Sequence, residues 1–234
     1  MPRKPRSVMV GHSHYILQTG HNHQPVFKSD VDYREYLMEV MTLRERFQVE
    51  VQAWCLFPQD AHLLLRPTSN ERSLAEFMKS LAARHTRHFN VRYQHSGTLW
   101  EGRYRCSLVE PGHWQLACLR YLEYLPVLRS LVTRPRYYSW SSYAMRMGGT
   151  QHDWLDRADD YLALSIDSSE RRSLYREFVA QGCDPREQSK IEAAVWRGQL
   201  IGSDRFIDEV EAATGQRILF RGPGRPRKSR PGGG

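Results

Sequence analysis

Val49-Glu50-Val51-Gln52-Ala53-Trp54-Cys55-Leu56-Phe57 runs into Pro58-Gln59-Asp60 and then Ala61-His62-Leu63-Leu64-Leu65. Two apolar, β-prone runs with a tight polar break between them spell an antiparallel hairpin. Arg66-Pro67-Thr68-Ser69-Asn70 ends it. Working outward, His14 to Thr19 reads as an earlier strand closed by Gly20. Ser29-Asp30 then caps a helix from about 30 to 47, whose apolar side is Tyr33, Tyr36, Leu37, Val40, Met41 and Leu43. Downstream, Ser73-Leu74-Ala75-Glu76 has the capping-box pattern, and Leu74, Phe77, Met78, Leu81 and Phe89 form the stripe of the helix it announces. Thr98 to Val109 reads as a strand bent at Gly102. Pro111 opens a helix with Trp114, Ala117, Cys118, Tyr121, Leu122 and Leu125 on one face. The order β-α-β-β-α-β is the split βαβ, ferredoxin-like arrangement.

The class is therefore α+β, with three parts. A ferredoxin-like domain spans 9–147. A helical C-terminal region spans 148–216, with helices expected over 159–164, 169–181, 185–197 and 203–213 and Gly215 as a C-cap. A basic tail spans 217–234, rich in Pro, Gly and Arg without an acidic residue, and is expected to be disordered when alone. No internal repeat is found.

Composition narrows the function. The net charge of the 234 residues is +8, which favours polyanionic partners. No apolar run is long enough to cross a membrane, and the basic N-terminus lacks the apolar stretch of a secretory signal, so a cytoplasmic location is expected. Cys55, Cys106, Cys118 and Cys183 lack zinc-like spacing and read as buried free thiols.

Four segments then match one family in order. Phe57-Pro58-Gln59-Asp60-Ala61-His62-Leu63-Leu64-Leu65 resembles the metal-binding strand of HUH single-strand DNA transposases. Gly97-Thr98-Leu99-Trp100-Glu101-Gly102-Arg103-Tyr104 is similar to their next signature. Arg120-Tyr121-Leu122-Glu123-Tyr124-Leu125-Pro126-Val127 resembles the helix that carries the nucleophile, and Trp140-Ser141-Ser142-Tyr143 is a further mark. Leu200-Ile201-Gly202-Ser203-Asp204-Arg205-Phe206 looks like the tail region of the REP-associated tyrosine transposases. The resemblance covers about residues 9–146.

What it implies is a nickase and strand transferase acting on single-stranded hairpins of repeated palindromes in bacterial, nucleoid-associated DNA. A tyrosine hydroxyl, Tyr121 here, attacks a phosphodiester, leaving a 5′-phosphotyrosine and a free 3′-OH. A divalent ion, Mg²⁺ or Mn²⁺, polarises the phosphate from the positions of Asp60 and His62. Residues i and i+2 on a strand share a face, and a hard cation accepts carboxylate and imidazole. Two positions depart from the family. Asp60 stands where a histidine is usual, and Leu125 stands where an amide side chain follows the tyrosine by one turn. They open the alternative of a domesticated DNA-binding protein that keeps the fold without the chemistry. A third reading, a ferredoxin-like RNA-binding module, lacks the aromatic sheet face that reading needs.

The remaining candidates concern DNA. Arg84 and Arg87 on the second helix are placed to follow a backbone, or to form a solvated face. Arg103 and Arg105 alternate on their strand and so share one side. Arg225 and Arg227 lie in a Gly-Arg-Pro context like an AT-hook, which would add A·T-rich duplex as a partner, or belong to a merely solubilising tail. A homodimer is a further expected partner state. Tyr124 misses the family's register. His12-Ser13-His14 and His21-Asn22-His23 are minor metal candidates, with His14 expected beside the Asp60 strand and helping to hold the ion.

Overall fold

A computed structural model describes residues 8–149 and 153–215. Its elements run β1 (His14–Thr19), α1 (Asp30–Phe47), β2 (Val49–Phe57), β3 (Asp60–Pro67), α2 (Glu71–Tyr93), β4 (Arg105–Leu108) and α3 (His113–Leu128), then the shorter α4 (Tyr143–Arg146), α5 (Asp159–Leu162), α6 (Ser168–Ala180), α7 (Pro185–Arg197) and α8 (Asp204–Thr214). The four strands form one antiparallel sheet in the order β2-β3-β1-β4. That is the ferredoxin-like arrangement expected from the element order. Among the described residues no helix is long and apolar enough to cross a membrane.

Strand alternation divides the core. Ile16, Leu63 and Leu65 face α1 and α2, with Tyr36, Val40, Phe77 and Leu81. Tyr15, Leu17 and Leu64 face α3, with Cys118, Tyr121 and Leu122. β2 changes phase midway. Its register against β3 shifts between Val51 and Ala53, a bulge at Gln52. A one-residue shift exchanges the two faces of a strand. Val49 and Val51 therefore join the α1/α2 side, whereas Ala53, Cys55 and Phe57 turn toward α3. The bulge thus aims Phe57 at the same side of the sheet as His62.

Three expectations about element ends are corrected. α2 begins two residues before Ser73, because the Asn70 side chain accepts from Arg72 N (2.9 Å) and Ser73 N (3.1 Å) and caps the helix itself. Ser73 is already a buried first-turn residue. The strand expected over 98–109 is only Arg105–Leu108, since Gly102 sits at φ +66° and turns the chain. Trp100 keeps a single bridge to Gly20. α3 starts at His113 rather than at Pro111.

After Gly149 the chain adds to the existing core. Tyr161, Tyr175, Val179, Ile191 and Val195 share the cluster of Tyr15 and Tyr121, so α5, α6 and α7 close over α3. Ile201 bridges Val109 in parallel. α8 packs Phe206, Ile207 and Val210 onto Leu108 and Leu200, and ends with Gly215 left-handed at φ +65°. No disulfide joins Cys55, Cys106, Cys118 or Cys183, and the first three are buried.

Candidate active site

The site forms where the start of β3 meets the end of α3. Asp60 and His62 point to one side of β3, and Asp60 Oδ1 lies 3.1 Å from His62 Nε2. On the neighbouring β1, the Tyr15 hydroxyl is 2.8 Å from His62 Nδ1. α3 ends at Leu128, and Ser130 takes a left-handed φ of +57°, turning the chain back over the sheet. Arg129, at that bend, reaches β3. Its Nη1 donates to both Asp60 oxygens (3.0 and 3.1 Å), and its Nη2 lies 3.0 Å from His62 Nε2. The guanidinium covers the Phe57 ring at 3.8 Å, the ring that the β2 bulge had turned to this side.

A guanidinium only donates, and the Asp60 carboxylate accepts from it. His62 Nε2 stands between the Asp60 oxygen and Arg129 Nη2, with its other nitrogen, Nδ1, against the Tyr15 hydroxyl. Carboxylate and imidazole thus stand around one fixed cation. Burial works to raise the Asp60 pKa, but the facing imidazole and guanidinium outweigh it and hold the carboxyl down at about 2.

Tyr121 lies on α3 in the layer that also faces β1, with its ring 6.1 Å from that of Tyr15. Its hydroxyl donates to Glu192 Oε1 on α7 at 3.3 Å, and Gln188 Nε2 binds the same oxygen at 2.9 Å. Burial, and next the charge of Glu192, push the Tyr121 pKa well above its ordinary value. Leu125, one turn on, is buried apolar core. Tyr124 is half-buried, with its hydroxyl near Gly182.

A divalent ion does not fit the donors present. Asp60 and His62 offer two, Leu125 offers none, and Arg129 already bonds both. Among the described residues no group of three or more His, Cys, Asp or Glu is placed to hold a metal ion. His14 is not beside the site. It pairs with Leu65, whereas His62 pairs with Leu17, three residues or about 10 Å along β1. There it accepts from Met9 N at 3.2 Å, and burial lowers its pKa to about 4.

The proposed DNA-binding arginines are dispersed. Arg84 is ion-paired with Glu39 of α1, and Arg87 is exposed on the same helix, across the sheet from Tyr121. Arg103 is exposed in the loop before β4, so the shared strand face expected for it and Arg105 does not form. Arg105 lies 4.0 Å over the Trp196 ring and bonds the Trp196 carbonyl. Arg225 and Arg227 lie outside the described residues. Sequence reasoning missed Arg129 and Glu192. For Arg129 one signal existed, a lone cation just past the C-terminus of an apolar helix, where the helix dipole favours it. For Glu192 there was none.

Comparison with known proteins agrees with this fold. A family model described as transposase, IS200-like, matches residues 7–124. A solved REP-associated tyrosine transposase, bound to a REP hairpin, superposes with a TM-score of 0.55 at 14% identity, over 68% of this chain and 94% of that one. A putative transposase from Deinococcus radiodurans R1 gives a TM-score of 0.38 at 20% identity, over 52% of this chain and 96% of that one. No curated protein matches the chain.

Proposed function

This chain belongs to the IS200-like transposase family, and from that premise we propose that it recognises single-stranded DNA folded into hairpins of palindromic repeats. The family membership carries the reading. The solved relative that shares its fold over 68% of this chain was captured on a REP hairpin, which supports the choice of hairpin over plain duplex. In this reading the fold is kept for recognition. The proposal includes duplex contacts from the basic tail 217–234, through Arg225 and Arg227, and a homodimer. The test measures affinity for a hairpin, for an unstructured strand of equal length and for a perfect duplex. Preference for the hairpin by about tenfold or more, a gap of about 1.4 kcal/mol, is expected. Equal affinity for all three would sink the reading.

A specific contact favours a second reading in which the protein also cuts. The Tyr121 hydroxyl already donates to the Glu192 carboxylate at 3.3 Å. In such a step the hydroxyl proton passes to Glu192, and the phenolate oxygen bonds to phosphorus. The bond to the 3′ oxygen then breaks, and that oxygen takes a proton from water. Incubation with hairpin DNA, once with Mn²⁺ and once with chelator, followed by denaturing electrophoresis, reads out a covalent adduct. An adduct lost in Tyr121→Phe supports cutting; no adduct under either condition leaves recognition alone.

A further inference from the structure

We propose that Arg129 is the resident cation of this site, standing where a divalent ion would stand and binding the phosphodiester itself, so that DNA engages here without metal. The proposal rests on the reading of the chain as a binder of single-stranded hairpins.

Three observations converge on it. Asp60 and His62, the only two donors the strand presents, both spend their facing atoms on Arg129, at 3.0 to 3.1 Å. A metal would have to displace an ion pair in which one Arg129 nitrogen binds both carboxylate oxygens, and would then find two protein ligands. Second, the cation is held in a fixed pose. Its face is covered by Phe57 and its fork is clamped by the carboxylate and the imidazole, whose other nitrogen is tied to Tyr15. Third, the Arg129 side chain is 35% exposed, against 15% for Asp60 and 6% for His62. These bonds use Nη1 and Nη2 only. A guanidinium has five N–H donors, so Nε–H and an outward Nη–H remain for a phosphate oxygen. The arrangement differs from metal chemistry in charge. Asp60 and Arg129 together are neutral, whereas a divalent ion beside one carboxylate carries a net positive charge. The site therefore suits holding a phosphodiester better than polarising one.

The test separates this proposal from the hairpin reading by two readouts on the full chain. In the first, Mn²⁺ is titrated without DNA and free ion is followed by electron paramagnetic resonance. The wild type is expected to leave millimolar Mn²⁺ free. One bound ion, lost in His62→Ala, would overturn the proposal whatever DNA the protein binds. In the second, hairpin affinity is measured against salt in chelator and in Mg²⁺. Affinity is expected to be the same in both. Arg129→Ala is expected to weaken it by about tenfold or more, as loss of a charge-assisted bond does, and to lower the slope of log affinity against log salt by about 0.7. Arg129→Lys should restore the slope, a result that a purely structural role for Arg129 would not give. An unchanged slope in Arg129→Ala, or dependence on Mg²⁺, overturns the proposal. Should no hairpin bind the wild type at all, the hairpin reading fails and the DNA role of Arg129 falls with it, while the Mn²⁺ titration still decides whether the site takes a metal.

Discussion

Two arginine–carboxylate pairs flank α3 and behave as opposites. On its inner side, Arg146 and Glu123 are both fully buried. Glu123 accepts from Arg146 Nε at 3.0 Å, from Ser142 Oγ at 2.7 Å and from the Tyr175 hydroxyl at 2.9 Å, and Arg146 also donates to the Gln52 carbonyl. That cluster ties α3 to α4, α6 and the bulge of β2. At the end of the same helix, Arg129 and Asp60 form a pair with a solvent-facing edge. The chemistry is the same and the burial is not. A sealed pair is out of a ligand's reach, and breaking it strands a charge in the core. An open pair contributes little to stability and can rearrange its bonds when a ligand arrives.

The largest expected effect tests the sealed pair. Glu123→Ala leaves Arg146 buried without its counter-charge, and a loss of about 3–5 kcal/mol is expected in denaturant unfolding. Glu123→Gln keeps acceptors for Ser142 and Tyr175 and should lose less. A drop below about 1 kcal/mol in Glu123→Ala would erase the contrast.

Next comes the pH dependence of the open pair. The Asp60 carboxyl is held at about 2 in the fold, below the ordinary 3.8. A depressed folded pKa means stability that is fully present above about pH 4 and is lost as pH falls through about 2. Nearly two pKa units set an upper bound of about 2.5 kcal/mol, reduced by the solvent at the rim. Unfolding free energies of wild type and Asp60→Asn should therefore converge between pH 4 and pH 2. Curves that stay parallel over that window would show that the pair does not hold Asp60 ionised.

Much of this architecture was legible because strand alternation and helical stripes are local signals. Val49–Phe57 and Asp60–Pro67 pair as their apolar runs demanded, and the element order was enough to name the ferredoxin-like sheet. The bulge was hidden, since a single Gln52 inside an apolar run does not disturb a reading of the strand as a whole. The Ser73 capping box yielded to Asn70, because two competent caps stood three residues apart and tertiary packing chose. The site was half legible. Asp60 and His62 follow from i, i+2 geometry, but Arg129 lies 69 residues from Asp60, and Glu192 lies 71 residues from Tyr121. Such contacts are made by the fold, through the bend at Ser130 and the closure of α7, and no period in the chain announces them.

The smallest expected effect falls on Tyr121, which lies on the same helix α3. If its hydroxyl belonged to a sealed network like that of Tyr175, removing it would leave a buried acceptor unmet and cost about 1–3 kcal/mol. The geometry says otherwise. Tyr121 makes one long bond of 3.3 Å, and Glu192 keeps Gln188 at 2.9 Å when the hydroxyl is gone. The phenyl ring of Tyr121→Phe still fills the layer against Tyr15. A loss of less than about 1 kcal/mol is therefore expected, with hairpin affinity unchanged, because the phosphate contact is assigned to Arg129. The double variant Tyr121→Phe with Glu192→Gln should show a coupling below about 1 kcal/mol in a mutant cycle. A loss well above 1 kcal/mol in the single variant would place Tyr121 with the sealed cluster, as a residue kept to hold α3 and α7 together. A near-neutral change would leave its hydroxyl free for a role in the site.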